Sequence, residues 1–211
     1  MNASGTPAVV YLYQQKDDTN IQQSLERVQT MAQWKIDSAH SEVGFKVKHL
    51  VVSTVSGTFA KFDAVIETDK EDFNDAKLTF EADIDSISTK NDQRDGHLKS
   101  PDFFDAANHP KMAFVSKSVK KLSDFEMQVV GDLTIRGTTK EVTLDVIYNG
   151  TVAGFGGAKV AGFEVKGRIN RSDYGLQWNA LTEAGGVVVS NEVKIEILAE
   201  FNKVQSAAKA A

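Results

Sequence analysis

The sequence contains no cysteine, which excludes both a disulfide framework and a thiolate metal site. That absence suits a reducing cytosol and equally a periplasmic protein that avoids thiols. Basic residues are outnumbered, with 24 Lys and Arg against 29 Asp and Glu for a formal net charge of −5. A nucleic-acid binder normally carries a basic face, so that class is set aside, although a local Lys/Arg cluster can still meet one phosphate. No apolar run approaches the ~20 residues that cross a bilayer as a helix. The apolar patch at residues 8–13 is shorter than a usual signal-peptide core of roughly 7–15 residues, and no Lys or Arg precedes it. No export signal is read, so a cytoplasmic location is expected, with the periplasm as the alternative. Internal repeats are also missing.

What is present is β-strand pattern. At 211 residues, with 41% hydrophobic residues, the chain can build a substantial core, and one all-β barrel can use most of that length. Residues 1–33 stand apart as a Gln/Thr/Asn/Asp-rich extension in which Ile21, Leu25 and Val28 have helical spacing. Met31 would serve as a natural start, and the extension is expected to be dispensable. From Trp34 the period changes to two. Val43, Phe45, Val47 and His49 share one face while Glu42, Lys46 and Lys48 share the other. The next strand, about 55–68, holds Phe59 and Phe62, which cannot both face inward in phase, and with Gly57 they predict a bulge. Residues 69–75 read as an acidic turn.

The same alternation continues through Leu78, Phe80, Ala82 and Ile84, then Met112, Phe114 and Ser116, then Phe125, Met127, Val129, Gly131, Leu133 and Ile135. Arg136, Gly137 and Thr138 make a tight hairpin. Val142, Leu144, Val146 and Tyr148 return, and the glycine-rich turn at residues 154–157 precedes strand pattern (Ala161, Phe163, Val165, Gly167, Ile169) rather than the helix a phosphate loop needs. After a long connection to Gly186, the last strand points Val193, Ile195, Ile197, Ala199 and Phe201 inward, and residues 204–211 are an Ala/Lys tail. Eight antiparallel strands with one apolar face each close most simply as an up-and-down barrel without free edges.

One stretch, residues 89–105, interrupts the alternation. Asn91 can cap a helical turn that Asp92 and Asp95 open and Gly96 ends or loosens. Ser100 can cap a second turn with Pro101 at its first position, and Phe103 and Phe104 are expected to cover one end of the barrel. Arg94 and His97 would then stand beside that end of the barrel, where Arg94 can tie down the insertion through Asp95 or Asp102 or face a ligand in the mouth.

Five ordered motifs carry a family resemblance. They are Trp34-x-Ile36-Asp37-x-x-His40-Ser41 with Phe45 and His49, and Gly57-x-Phe59-x-x-Phe62. The third is Arg94-Asp95-x-His97-Leu98-x-Ser100-x-Asp102-Phe103-Phe104-Asp105 with Pro110 and Phe114. The last two are Gly131-Asp132-Leu133-Thr134-Ile135-x-Gly137 and Arg171-x-Asp173-Tyr174-Gly175-Leu176. Over residues 34 to about 203 the chain resembles the YceI-like family. The resemblance implies a bacterial lipocalin-like barrel that binds, sequesters or transports a polyisoprenoid, such as a prenyl quinone or prenyl phosphate, and that forms a dimer.

An eight-stranded barrel can be filled or can hold one small ligand. The inward residues mix large and small side chains, so a solid-cored interaction module stays open beside lipid binding. The expected ligand contacts are Phe45, Val47, His49, Phe59, Phe80, Ala82, Ile84, Arg94, His97, Phe103, Phe104, Phe114, Met127, Val129, Gly131, Phe163 and Val165. Gly131 and Ala82 are read as space-leaving positions where Phe would evict the ligand. The four histidines (His40, His49, His97, His109) form no ligand pair such as His-x-His, so no metal or other cofactor is expected. His40 and His49 are expected to hydrogen-bond within the barrel. There is no Gly-x-Ser-x-Gly elbow and no cysteine nucleophile, so no enzymatic activity is expected.

Overall fold

The computed structural model describes residues 31–154, 157–180 and 188–204. The helical spacing in the N-terminal extension and the crest of the 154–157 turn lie outside them. Eleven strands form one antiparallel sheet that closes on itself. Strands β1 (Ala32–Ile36) and β2 (Glu42–His49) both pair with the same edge of β11 (Val189–Lys203). They are two halves of one stave. Likewise β3 (Ser53–Phe59) pairs with β2 while β4 (Phe62–Thr68) pairs with β1. Strands β5 (Lys77–Asp83) and β6 (Ile87–Ser88) divide the third stave around a 3-10 turn at Ile84–Ser86. The unbroken strands β7 (Lys111–Lys121), β8 (Glu126–Ile135), β9 (Thr138–Ala153) and β10 (Lys159–Asn170) follow in order, and β11 joins β10 to β1 and β2. The result is the expected eight-stave up-and-down barrel, with α1 (Asp92–Lys99), the one α-helix among the described residues, inserted between the third and fourth staves.

Period two decides which side chains enter. Along β8 the burial alternates strictly, with Met127, Val129, Gly131, Leu133 and Ile135 inside. Phe125 breaks that series because it precedes the strand, and it is 64% exposed. The phase slip between Phe59 and Phe62 is a bend at residues 60–61 rather than a bulge at Gly57, where β2 and β3 stay in register. Gly57 has another reason. A Cβ there would lie 2.4 Å from the Phe45 ring, so the missing side chain is the space Phe45 occupies.

The insertion is also simpler than expected. Asn91 caps α1 by accepting from the Arg94 N–H at 2.9 Å, and the helix runs through Gly96 without ending. The expected second helix is a turn. Ser100 spends its hydroxyl on the His97 carbonyl at 2.8 Å, and the Phe103 N–H returns to the Ser100 carbonyl. That turn buries Phe103 and leaves Phe104 half-buried against Phe59, edge to face at 6.2 Å.

The opposite end is sealed by a residue that reads as part of an acidic loop. Phe73 is 1% exposed and meets Trp34, Tyr148 and Phe163 at 5.1, 5.3 and 5.1 Å. Rings from β1, β9 and β10 thus converge on one side chain from the β4–β5 loop. Asp75 anchors that loop, accepting from the buried Thr68 hydroxyl and from the Asp69 N–H. Phe73→Ala should cost about 3–5 kcal/mol in denaturant titration, the range for a buried aromatic. A cost below about 1 kcal/mol would show that this end is not sealed by Phe73.

Candidate functional site

Because every stave turns its apolar face inward, the barrel encloses hydrocarbon surface. The interior is not filled. An inner cavity of about 230 Å3 runs along it, and no polar surface faces that space. A second cavity of about 390 Å3 lies at the end covered by α1. The two share Phe45, Val47, Leu98, Phe103 and Val189 as walls, so Leu98 and Phe103 form the partition between them.

The outer cavity differs in chemistry. Lys48, His49, Arg94 and His97 line it with Asn91, Gln93 and Thr89, and no carboxylate belongs to its wall. Arg94 does not pair with Asp95 or Asp102. Its Nε donates to the Thr89 hydroxyl at 2.7 Å and Nη2 donates to the Thr89 carbonyl at 2.8 Å. Asp95 is buried and accepts instead from the Thr89 N–H and hydroxyl. Asp95 therefore fixes Thr89, and Thr89 fixes one edge of the guanidinium. Nη1 has no protein partner among the described residues. His97 contacts Asp102 through Nε2 at 3.0 Å and stands edge-on to Phe103 and Trp178 at 5.0 and 4.7 Å.

Arg171 holds the rim. It is buried, yet its guanidinium donates to the carbonyls of Leu176, Trp178, Val189 and Ser190 at 2.6 to 3.2 Å. It also lies 5.9 Å from the Phe103 ring centre. Burial lowers its pKa from the ordinary value, and the four carbonyls replace the water it loses. Removing this side chain would release residues 176–178 from the start of β11 and with them Trp178.

The inner walls include Phe45, Val47, Phe59, Phe80, Phe103, Phe104, Phe114, Met127, Val129, Phe163 and Val165 from the expected set. His49, Arg94 and His97 stand in the outer cavity. Ala82, Ile84 and Gly131 reach neither cavity. Ala82 and Ile84 are both 1% exposed and packed into the sheet where β5 breaks. The space above Gly131 is taken by Phe114, and an added Cβ would lie 2.5 Å from the Val115 carbonyl oxygen. Phe at Gly131 would therefore disrupt the strand pair before it blocked a ligand. Phe73, Trp178 and Tyr174 line these spaces without having been read as site residues. The Arg171–Leu176 motif was the available signal for Tyr174.

His40 and His49 do not hydrogen-bond within the barrel. His40 is exposed at the break between β1 and β2, where Nδ1 contacts Asp37 at 3.1 Å. Asp37, His40 and Glu200 bring one ligand atom each within 4.8 Å of the others. Asp37 is already engaged by the Ala39 N–H and the Asn202 amide. These contacts account for the cluster as a cap on the strand break. His49 sits at the rim, half-buried, rather than hydrogen-bonded inside.

Two predictions follow from these groups. The hydrogen bond from His40 holds the Asp37 pKa below 3.8, and the same contact raises His40 above 6.5. The His40 contribution to stability is fully present below 6.5 and lost as pH rises through its raised folded value. The Asp37 contribution is present above 3.8 and lost as pH falls through its lowered value. An NMR titration should place the His40 midpoint above 6.5, and Asp37→Asn should return it towards 6.5. Second, the Tyr174 hydroxyl is buried without a hydrogen-bond partner among the described residues, and burial pushes its pKa up to about 12. Tyr174→Phe should leave stability unchanged or raise it by up to about 2 kcal/mol, because no bond is lost with the hydroxyl. A clear loss of stability would reveal a partner.

Comparison with known proteins agrees with this geometry. Residues 34–201 match the model of the YceI-like domain. A UPF0312 protein of Staphylococcus aureus is 46% identical over 173 residues, covering 82% of this chain and 98% of the relative. Among solved structures, the Campylobacter jejuni YceI protein superposes with a TM-score of 0.64 at 34% identity, covering 80% of this chain and 96% of that one. A polyisoprenoid binding domain from Saccharophagus degradans superposes with a TM-score of 0.59 at 15% identity, covering 81% and 98%, a likeness of fold alone. By the family match over most of its length and by its close relatives, the chain belongs to the YceI-like family.

Proposed function

We propose that this barrel binds a long-chain amphipathic lipid of the polyisoprenoid class and sequesters or carries it. The observation that carries the reading is the pairing of cavities. An inner space without polar surface meets, at the Leu98 and Phe103 partition, an outer space whose wall includes Lys48 and Arg94 and no carboxylate. A cavity of ~150 Å3 with purely apolar walls can stay dry and accept an apolar guest. Each buried methyl or methylene of a tail would contribute about 0.8 kcal/mol. The polar head would lie in the outer cavity, with the unpartnered edge of Arg94 and the His97 ring facing a phosphate or a quinone carbonyl. The polyisoprenoid binding domain of Saccharophagus degradans shares this fold and supports the ligand class. A filled-core interaction module fits less well, because the core is hollow.

The test is native mass spectrometry followed by organic extraction of protein purified from its own host. A bound mass matching a prenyl quinone, prenyl alcohol or prenyl phosphate is the expected result. Val129→Phe and Val165→Phe, which fill the inner cavity from two strands, should each remove that mass while cooperative unfolding persists. Arg94→Gln should weaken binding of the head-bearing lipid about tenfold, the scale of one charge-assisted hydrogen bond, and leave a prenyl hydrocarbon unaffected. A protein that carries no lipid and takes up no prenyl lipid on addition would contradict the proposal.

A further inference from the structure

The β2–β3 hairpin breaks two rules at once. Its tip is Leu50, Val51 and Val52, which are 39%, 78% and 85% exposed. Leu50 and Val51 also have φ of 50° and 64°. Hairpin turns with two successive positive φ values are dominated by Asn, Asp and Gly, and a β-branched residue there is strained. Folding alone would favour a polar, glycine-containing tip. Apolar residues held at a strained and exposed position point to a use outside the fold.

The surroundings identify the partner. Lys48 and His49, at the base of this tip, line the outer cavity, so the hairpin stands beside the opening. Lys48 and Arg94 are exposed, and neither forms an ion pair among the described residues. Leu50 is tied through its N–H to the Val188 carbonyl at 2.9 Å, and Val188 is another wall of the cavity. An apolar tip with Lys48 at its base and Arg94 in the adjoining cavity wall is complementary to an anionic lipid bilayer, whose headgroups meet the cations while the acyl boundary takes the side chains. The closed end makes a contrast. Leu122 and Phe125 are exposed there too, at 53% and 64%. They lie among Asp72, Asp124 and Glu126, and Lys121 is paired with both Asp72 and Asp124.

We propose that Leu50, Val51 and Val52 insert into an anionic membrane surface and bring the cavity mouth against the bilayer, where a lipid can pass between the two. The purpose of this docking rests on the lipid-binding reading, but the docking itself is tested without any prenyl ligand. The full chain is sedimented with vesicles of phosphatidylcholine alone and of phosphatidylcholine mixed with phosphatidylglycerol. Binding is expected to the mixed vesicles and to weaken as salt rises. Each basic residue near the surface contributes about fivefold in affinity, so Lys48→Gln should lower binding by that factor.

The decisive variant is L50N/V51G/V52T, which gives the turn the residues its backbone favours. Its thermal midpoint should rise while vesicle binding falls at least tenfold. Its uptake of a prenyl lipid from detergent should stay as in the unaltered chain, because none of the three residues lines either cavity. Failure of that uptake in both chains would overturn the lipid-binding reading and leave the docking intact. The docking proposal is overturned if the full chain binds neither vesicle, or if the variant binds as well as the unaltered chain. It is also overturned if size exclusion shows a dimer that the variant dissolves while vesicles are ignored, since the tip would then be a surface for a second copy.

Discussion

Closure of the sheet through β11 is the constraint on which the rest depends. That strand hydrogen-bonds to β10 along one edge from Asn202 to Glu192 and to both β1 and β2 along the other. Without the second set of bonds the sheet would have two free edges and an apolar face open to water. With it, the inward side chains of eight staves share one enclosed space. Only the two ends can then communicate with solvent. One is stopped by Phe73 among Trp34, Tyr148 and Phe163, and the other is covered by α1, Phe103 and the segment that Arg171 holds.

The two ends are sealed by different physics, and the difference assigns their roles. Phe73 is a buried ring packed against three others, an arrangement that opens only at the cost of a core aromatic. The mouth is held by hydrogen bonds from two guanidinium groups, Arg171 to four carbonyls and Arg94 to Thr89. Polar ties of this kind position the rim, and at Arg94 they leave Nη1 without a protein partner among the described residues. The barrel therefore combines an aromatic floor with a polar mouth.

Much of the barrel was legible in the sequence because period two runs through most of each strand. The inward residues of β11 read correctly, and so did those of β8 from Met127 onward, Phe125 being the exception. Local pattern failed where a contact across the barrel decides. Phe73 looks like one apolar residue in an acidic loop, and only closure brings Trp34, Tyr148 and Phe163 around it. Gly131 looks like spare room, but the Phe114 ring from the neighbouring strand fills it. Arg94 has two carboxylates nearby in sequence, yet Asp95 turns inward to Thr89 and Asp102 is held by His97. The site was legible in its apolar part for the same reason as the fold. Its polar part depended on the path of residues 89–105 and 171–180, where no periodicity guides the reading.

The central claim is that an apolar chain occupies the inside of this barrel, and methyl NMR tests it most directly. With Val, Leu and Ile methyl groups labelled, the protein is titrated with a prenyl alcohol in detergent below its micelle concentration. The account predicts shifts at Val129, Val165 and Ile197, which line the inner cavity, and none at outward Val115, which is 53% exposed. Shifts confined to exposed methyl groups, with Val129, Val165 and Ile197 unmoved at saturation, would contradict it.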